Sequence, residues 1–176
     1  MPKLTKKALL KHLNKSDKED IIREVVTLFD KFKNVKEFYS AELSDEANPL
    51  LGQYKKKIAK AYASANPKEK TTNINVNRLI NQFKKVSIYE RELADLMLYR
   101  VECGVEAFIH NNKRSATFYN CIAATFEDAI KLIAANGYVN EFRKRIDKIV
   151  HDSDNGKYGI AERLADIVIE IISPLI

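Results

Sequence analysis

The sequence contains few of the residues on which sheet-rich, disulfide-linked or membrane-spanning proteins depend. It has 5 Gly and 4 Pro in 176 residues, too few for the many tight turns of a β-sandwich or barrel. Its 2 Cys cannot build a disulfide framework and do not form a CxxC pair. The most apolar stretch, 167–176, is too short to span a bilayer and contains Glu170 and Pro174. We therefore expect a soluble, cytoplasmic protein without membrane association.

Motifs that identify common enzyme classes are also missing. The sequence has no Gly-rich loop after a strand, no GxSxG and no Cys/His pair at zinc-site spacing. These absences favour a protein that is not an enzyme. We predict no catalytic residue, no cofactor and no bound metal.

Apolar residues at spacings of three and four recur along the whole chain. Ile22, Val25 and Phe29 follow this pattern, as do Leu164 and Ile167, and it is the period of one helix face. No segment alternates with period two. The pattern predicts an all-α fold of about eight or nine amphipathic helices in antiparallel hairpins, either stacked or in an irregular bundle.

Two local signals predict how the helices are bounded. Ser16 and Glu19 form a capping box, which predicts that a helix begins at Ser16. Residues 66–73 are polar and interrupt the apolar period, which predicts a loop or hinge there. Neither side of this loop has an obvious core of its own, so we expect 1–176 to form a single domain.

Positive charge is concentrated in the first half of the chain. Residues 1–90 hold 19 Lys/Arg and 11 Asp/Glu, whereas 91–176 hold 11 and 13. The densest cluster, which phosphates would contact first, consists of four lysines: Lys55, Lys56, Lys57 and Lys60. No recognition motif or stacking aromatic accompanies them, so a solvated face is the simpler interpretation. We expect any nucleic-acid binding to be weak and non-specific.

The helix predicted after Ser87 carries a polar stripe. At 100° per residue, one narrow face holds four polar side chains, with His110 at its edge: Asp95, Tyr99, Glu102 and Glu106. Carboxylates four apart, followed by a histidine, bind a metal if another helix supplies more ligands. The stripe lacks the Glu-x-x-His spacing of di-iron bundles, so a solvent-facing strip of like charges is the simpler interpretation. Glu102, Glu106 and His110 are the candidates if a metal is bound.

Arg100 falls inside the apolar arc of the same helix. A buried guanidinium must be paired or must lie along a cleft. Asp128 and Asp166 are both candidate partners, and the sequence does not choose between them. A snorkelling side chain or a structural ion pair is the simpler interpretation. A position in a cleft would instead make Arg100 a candidate functional residue.

Six short motifs together resemble a family of small bacterial proteins classed as a domain of unknown function. They are LTKKAL at 4–9, FKNVKEFY at 32–39, LADLML at 93–98, VECGV at 101–105, FYN at 118–120 and LADI at 164–167. The resemblance covers nearly the whole chain. It implies a bacterial, all-helical, stand-alone cytoplasmic protein, and it implies no activity, ligand or site residue.

The leading hypothesis from the sequence is a non-enzymatic helical module that interacts with other proteins. It rests on amphipathic helices and a basic half that occur without any nucleophile–base arrangement. The alternatives are a weak binder of nucleic acid or another polyanion through the basic half, and a metal-dependent enzyme. A protein partner is compatible with either a monomer or a homodimer.

The end of the chain is unusually apolar. Ile171, Ile172, Leu175 and Ile176 are interrupted only by Ser173 and Pro174. Exposing such side chains is unfavourable, so we predict that this tail docks on its own core or on a second copy.

Overall fold

A computed structural model describes residues 5–43, 49–63, 69–87, 89–110 and 115–175. Within these ranges the chain forms nine α-helices, two short 3₁₀ turns and no strand, which confirms the all-α prediction. None of these helices is both long enough and apolar enough to cross a bilayer. The chain divides into two compact units, 1–47 and 48–176, and each is described by itself.

The first unit contains three short helices: α1 (Lys6–Leu13), α2 (Lys18–Lys31) and α3 (Lys33–Glu42). The N-cap of α2 is Asp17, whose side chain accepts a hydrogen bond from the Asp20 amide at 2.8 Å. The predicted helix start at Ser16 is wrong by one residue, because the Ser16 hydroxyl donates instead to the His12 carbonyl at the end of α1. The Ser16 side chain thus interacts with the end of α1, and Asp17 caps α2 in its place.

The helices of the first unit bury no described residue completely. Phe29 of α2 and Phe38 of α3 both pack edge-on against Tyr39, with ring centroids 6.3 and 4.9 Å away. Among the described residues of this unit, seven large apolar side chains are exposed: Leu9, Leu10, Ile22, Val26, Leu28, Phe32 and Leu43. Amphipathic helices are therefore present here without a closed core.

The second unit contains the remaining described helices: α4 (Pro49–Tyr62), α5 (Glu69–Val86), α6 (Glu90–His110), α7 (Ala116–Ala135), α8 (Val139–Asp152) and α9 (Ile160–Ile172). The loop predicted at 66–73 is wrong for its last five residues, because these belong to α5, which begins at Glu69. Thr72 and Asn73 are buried, so these polar residues face inward in a helix and do not form a surface loop. Residues 66–68 lie outside the described ranges.

Helices α6 and α7 form the centre of the second unit. α6 packs against α4, α5, α7 and α8, and α7 packs also against α9. Arg100 contacts Thr125, and the Phe108 ring lies 5.2 Å from the Tyr119 ring, so α6 and α7 run antiparallel. Every described apolar side chain that is buried belongs to this unit.

Helix α9 ends at Ile172, two residues before Pro174. Ile172 is buried, and a 3₁₀ turn, Ser173–Leu175, follows it. The side chains of Leu175 and Ile176 lie outside the described part of the structure, so docking of the tail stays a prediction.

Candidate functional site

A cavity of about 700 Å³ lies between α5, α6 and α7. Its volume is within the range of roughly 300–1,000 Å³ that small-molecule sites occupy. Helix α6 supplies a buried floor of Leu93, Met97 and Arg100. The two walls come from α5 and α7, and most of their lining residues are exposed: Asn77, Ile80, Asn81 and Lys84 on α5, and Cys121, Ala124, Thr125, Asp128, Lys131, Leu132 and Ala135 on α7.

Three helices meet at Arg100 on the floor of the cavity. Arg100 hydrogen-bonds to both Asn77 of α5 and Thr125 of α7. Met97 and Leu93 follow Arg100 at one-turn intervals on α6, and both line the cavity. The seven residues from Arg100 to Leu93 rise by roughly 10 Å, so the floor is elongated.

Arg100 is the most unusual residue of the cavity. Its side chain is almost completely buried, at 3% exposure. Its Nη1 donates to Asn77 Oδ1 at 2.8 Å and also to Thr125 Oγ1. Its Nε and Nη2 are buried and have no hydrogen-bond partner among the described residues. The guanidinium is thus only half satisfied.

The ion pair predicted for Arg100 is not formed within the described ranges. Asp128 lines the same cavity but makes no ion pair with Arg100, and Asp166 is exposed on α9. A buried charge without a counter-charge is costly, so the structural ion-pair interpretation does not explain this residue. Arg100 lines the cavity between α5, α6 and α7.

The two unpartnered nitrogens of Arg100 are shielded from the cavity. Nε and Nη2 share one edge of the planar guanidinium, and both atoms have almost no solvent-accessible surface. Nη1 already donates to Asn77 and Thr125, and the Thr125 hydroxyl donates to the Cys121 carbonyl at 2.9 Å. Arg100 therefore acts on the cavity through its positive charge.

Tyr62 lies near Arg100 but does not neutralise it. Burial raises the pKa of Tyr62, and the positive charge of Arg100, together with the closeness of its guanidinium to the phenol oxygen, offsets only part of that rise. The phenol therefore keeps its proton at neutral pH. Its hydroxyl is itself buried without a hydrogen-bond partner in the described structure.

The predicted polar stripe of α6 faces α4 and α8, so the prediction of a solvent-facing strip is wrong for its first half. Lys55 approaches Asp95 Oδ1 to 2.8 Å, and Arg145 bridges Asp95 and Glu102, with its Nη2 2.8 Å from Glu102 Oε2. We call these four residues the clamp. Burial by itself would raise the pKa of Asp95, but the hydrogen bonds from Lys55 and Arg145 outweigh it and hold that pKa below its ordinary value. Of the three metal candidates, Glu102 is thus paired with Arg145.

The other two metal candidates are Glu106 and His110. Glu106 is exposed and lines a smaller cavity of about 280 Å³ with Glu102 and Lys148, whereas the side chain of His110 lies outside the described structure. In the ranges that the structure describes, no three His, Cys, Asp or Glu side chains are grouped as metal ligands.

The lysine cluster is divided between internal and surface roles. Lys55 belongs to the clamp, and its Nζ also lies 5.5 Å from the centre of the Tyr99 ring. Lys56, Lys57 and Lys60 are exposed, and the Nζ of Lys57 lies 4.7 Å from its neighbouring tyrosine ring at position 54.

Sequence reasoning missed the residues that surround Arg100. Thr125 lies on the apolar face of α7 between Ile122 and Ala129. A hydroxyl on that face indicates a buried polar contact, and the sequence could have shown this. Asn77 and Lys84 lie two turns apart on α5, and nothing in their spacing distinguishes a cavity wall from a solvated face. Only the packing of α5, α6 and α7 shows that Asn77, Lys84 and Thr125 line the same cavity.

Comparison with known proteins identifies a family but no activity. The sequence profile of DUF6155, a family of unknown function, matches residues 4–169. No curated protein and no solved structure matches the chain.

Proposed function

The chain belongs to the DUF6155 family of unknown function, and because that membership assigns no activity, we propose from the cavity that the protein binds a small organic anion without transforming it. The observation that carries this proposal is the positive charge of Arg100, which has no counter-charge among the described residues, on the floor of a cavity of ligand size. An anion bound in the cavity supplies that counter-charge.

The charges around the cavity support the same ligand class. Its described lining holds three cationic side chains, Lys84, Arg100 and Lys131, and one anionic side chain, Asp128. Lys131 is partly compensated by Glu127, 2.5 Å away on the same helix. Lys84 forms no ion pair with a described residue, so it adds to a positive potential that attracts anions to the opening.

Replacing Arg100 by Met separates a binding role from a structural one. The substitution keeps the approximate length of the side chain and removes a buried charge that lacks a counter-charge. We expect Arg100→Met to be at least as stable as the wild type without ligand, because such replacements are often neutral or stabilising. A structural arginine would give a clear loss of stability instead.

The binding test uses thermal unfolding of the full chain with carboxylates, phosphate esters and sulfate esters, each paired with a neutral analogue. We expect at least one class of anion to raise the melting temperature of the wild type, and not that of Arg100→Met. Arg143→Met is the matched control, because Arg143 is exposed and pairs with Asp147 on α8. If no anion stabilises the wild type, or if the effect persists in Arg100→Met, the proposal is wrong.

The first unit favours a second candidate function, namely self-association through its apolar helix faces. Ile22 and Val26 lie one turn apart on α2 and are 51% and 53% exposed. Two copies that cover these faces would bury surface that each helix leaves open. We expect sedimentation to show a dimer that the double variant Ile22→Ser, Val26→Ser abolishes, whereas a wild-type monomer at all concentrations would contradict this candidate.

The resemblance stated from the sequence also supports a bacterial origin and a cytoplasmic location, which we retain as proposals. Cell fractionation of a host that expresses the protein tests the location. We propose further that nucleic-acid binding is weak and non-specific, since Lys55 is held by Asp95 and is not available to phosphates. Submicromolar, sequence-selective binding at physiological salt would contradict this.

A further inference from the structure

The exposed cations of the second unit fall into two groups. On α7 and α8 most of them pair with a carboxylate one turn away, as Lys131 does with Glu127. On α4 and α5 such pairs cannot form, because residues 49–63 and 70–86 contain no Asp or Glu. We call five exposed cations of these two helices the basic face: Lys56, Lys57 and Lys60 of α4, and Arg78 and Lys85 of α5. None of the five forms an ion pair with a described residue.

Helices α4 and α5 lie side by side in opposite directions. Tyr54, early in α4, packs against Phe83, late in α5, with ring centroids 5.2 Å apart. Counting along both helices from this contact places Lys60 at about the level of Arg78. Packed helices lie about 8–10 Å apart, so the cations of the two helices are close neighbours.

The cations of both helices turn away from α6. Lys55 points from α4 to Asp95 of α6, and at 100° per residue Lys60 lies about 140° further round the helix. On α5, Lys84 lines the cavity against α6 and α7, and Lys85 lies about 100° beyond it. The basic face is therefore one outward surface that extends across both helices.

We propose that the basic face binds the phosphate backbone of double-stranded nucleic acid. This inference rests on the weak, non-specific nucleic-acid binding proposed above and names the surface responsible; it does not depend on anion binding in the cavity. Cations without a carboxylate partner release the counterions condensed on a duplex when they contact its phosphates, and that release drives binding. The surface differs from the lysine cluster of the sequence, because Lys55 is excluded and Arg78 and Lys85 are included.

The aromatic residues of α4 and α5 favour a duplex over a single strand. Binding of single strands depends on exposed aromatic side chains on which the bases stack. Tyr54 and Phe83 are buried and Tyr62 is half-buried, so the described part of these helices offers no such platform. A duplex needs only contacts to its backbone, and the exposed Gln53 and Gln82 add amide donors for phosphate oxygens.

The apolar content of the surface argues against an acidic protein as the partner. Protein interfaces depend on a few large side chains that are buried near their centre. Along the described parts of α4 and α5, Ile74 is the one large apolar side chain that is exposed, at 57%. It lies one turn before Arg78, at the edge of the basic face. Because a phosphate backbone needs no such side chain, Ile74 separates the two kinds of partner.

Fluorescence anisotropy of the full chain with a labelled DNA duplex of random sequence tests this inference. The salt concentration is raised from about 50 to about 200 mM, and each phosphate neutralised contributes about −0.9 to the slope of log affinity against log salt. Five contacts predict a slope of about −4.5. We expect a dissociation constant between about 10⁻⁴ and 10⁻⁶ M at physiological salt. A slope shallower than about −2 would show that the five cations do not act together.

Two double variants locate the contacts, one on each helix. Lys56→Gln with Lys60→Gln, and Arg78→Gln with Lys85→Gln, each remove two phosphate contacts. Each pair should reduce the slope by about 2 and weaken binding at the lowest salt by at least about tenfold. If only one pair has this effect, the surface does not extend across both helices.

The matched control removes the same charge from elsewhere in the second unit. Lys144 on α8 and Lys157 before α9 are exposed and form no ion pair with a described residue. Because salt screens charges that do not contact the duplex, Lys144→Gln with Lys157→Gln should leave the slope nearly unchanged. If this control weakens binding as much as the pairs on α4 and α5, binding follows net charge and the basic face is not a site.

Competition identifies the kind of partner. Oligothymidylate and poly-glutamate, at equal concentrations of charge, should displace the labelled duplex at least tenfold less effectively than unlabelled duplex. An extended poly-glutamate chain carries one charge per about 3.4 Å, whereas a duplex carries one per about 1.7 Å. Ile74→Ser should leave the affinity for the duplex unchanged. If either competitor matches the duplex, or if Ile74→Ser abolishes binding, the assignment to a duplex backbone is overturned.

The outcomes distinguish this inference from the proposals made above. If the duplex binds weakly but neither pair on α4 and α5 changes the slope, weak binding stands and the basic face is the wrong surface. If binding through the basic face is submicromolar and sequence-selective, the surface stands and the proposal of weak, non-specific binding fails. Arg100→Met should leave duplex binding unchanged, so failure of the anion site does not affect this result. If no duplex binds at about 50 mM salt, both nucleic-acid proposals are wrong.

Discussion

The two units of the chain are built from the same kind of helix, yet they use it differently. Helices of 8, 14 and 10 residues in the first unit bury no described side chain completely. The second unit buries an apolar face on each of its helices, with α6 and α7 at the centre. Periodic apolar spacing thus predicts that a helix has an apolar face, but it does not predict what covers that face.

Matched phenylalanine truncations should show the largest difference between the units. Phe126 on α7 is completely buried, so Phe126→Ala should lower the free energy of unfolding by about 3–5 kcal/mol. Phe29 on α2 is half-buried against Tyr39, so Phe29→Ala should cost only about 1 kcal/mol. Urea unfolding followed by circular dichroism gives both values. Equal losses would mean that the first unit has a core as closed as that of the second.

The clamp offers a sharper test within the second unit. Asp95→Asn leaves Lys55 and Arg145 without their shared carboxylate, so we expect a loss of about 1–3 kcal/mol at neutral pH. This is less than a fully buried pair would lose, because Asp95 is 16% exposed and Arg145 keeps Glu102.

The same substitution should change the response to acid. The pKa of Asp95 is lowered in the folded state, so its contribution to stability is complete above the ordinary aspartate value of about 4. That contribution is lost as the pH falls through the lowered pKa. In Asp95→Asn the free energy of unfolding should therefore fall less steeply at acid pH than in the wild type. Asp147→Asn is the control, because Asp147 is 54% exposed beside Arg143. Parallel pH profiles for wild type and Asp95→Asn would contradict the role of the clamp.

The smallest effect is expected on the surface of the first unit. Ile22→Ser should change the free energy of unfolding of dilute protein by less than about 0.5 kcal/mol, because that side chain is already half in water. Ile130→Ser provides the contrast, since Ile130 is completely buried on α7. A large loss from Ile22→Ser at low protein concentration would show that this face is covered within one molecule.

The sequence predicted the helices and the anomaly at Arg100, because both depend on the local period of α6. It did not predict the partners, because Asn77, Thr125 and Arg145 come from three other helices whose register depends on tertiary packing. The period of α6 predicted the polar stripe from Asp95 to Glu106. It could not predict that Lys55 and Arg145, which belong to other helices, pair with its carboxylates. Similarly, the capping signal at Ser16 failed because the end of α1 competes for that hydroxyl.

The clamp also has a consequence for the rotation of α6 about its own axis. Asp95 and Glu102 lie two turns apart on one face, and Arg145 grips both from α8 while Lys55 holds Asp95 from α4. Five residues along the helix, Arg100 projects roughly 140° away around the axis. Turning α6 by a single residue would break the clamp before it carried Arg100 out of its cavity. The ion pairs on one side of α6 thereby determine the direction in which the Arg100 side chain points on the other side.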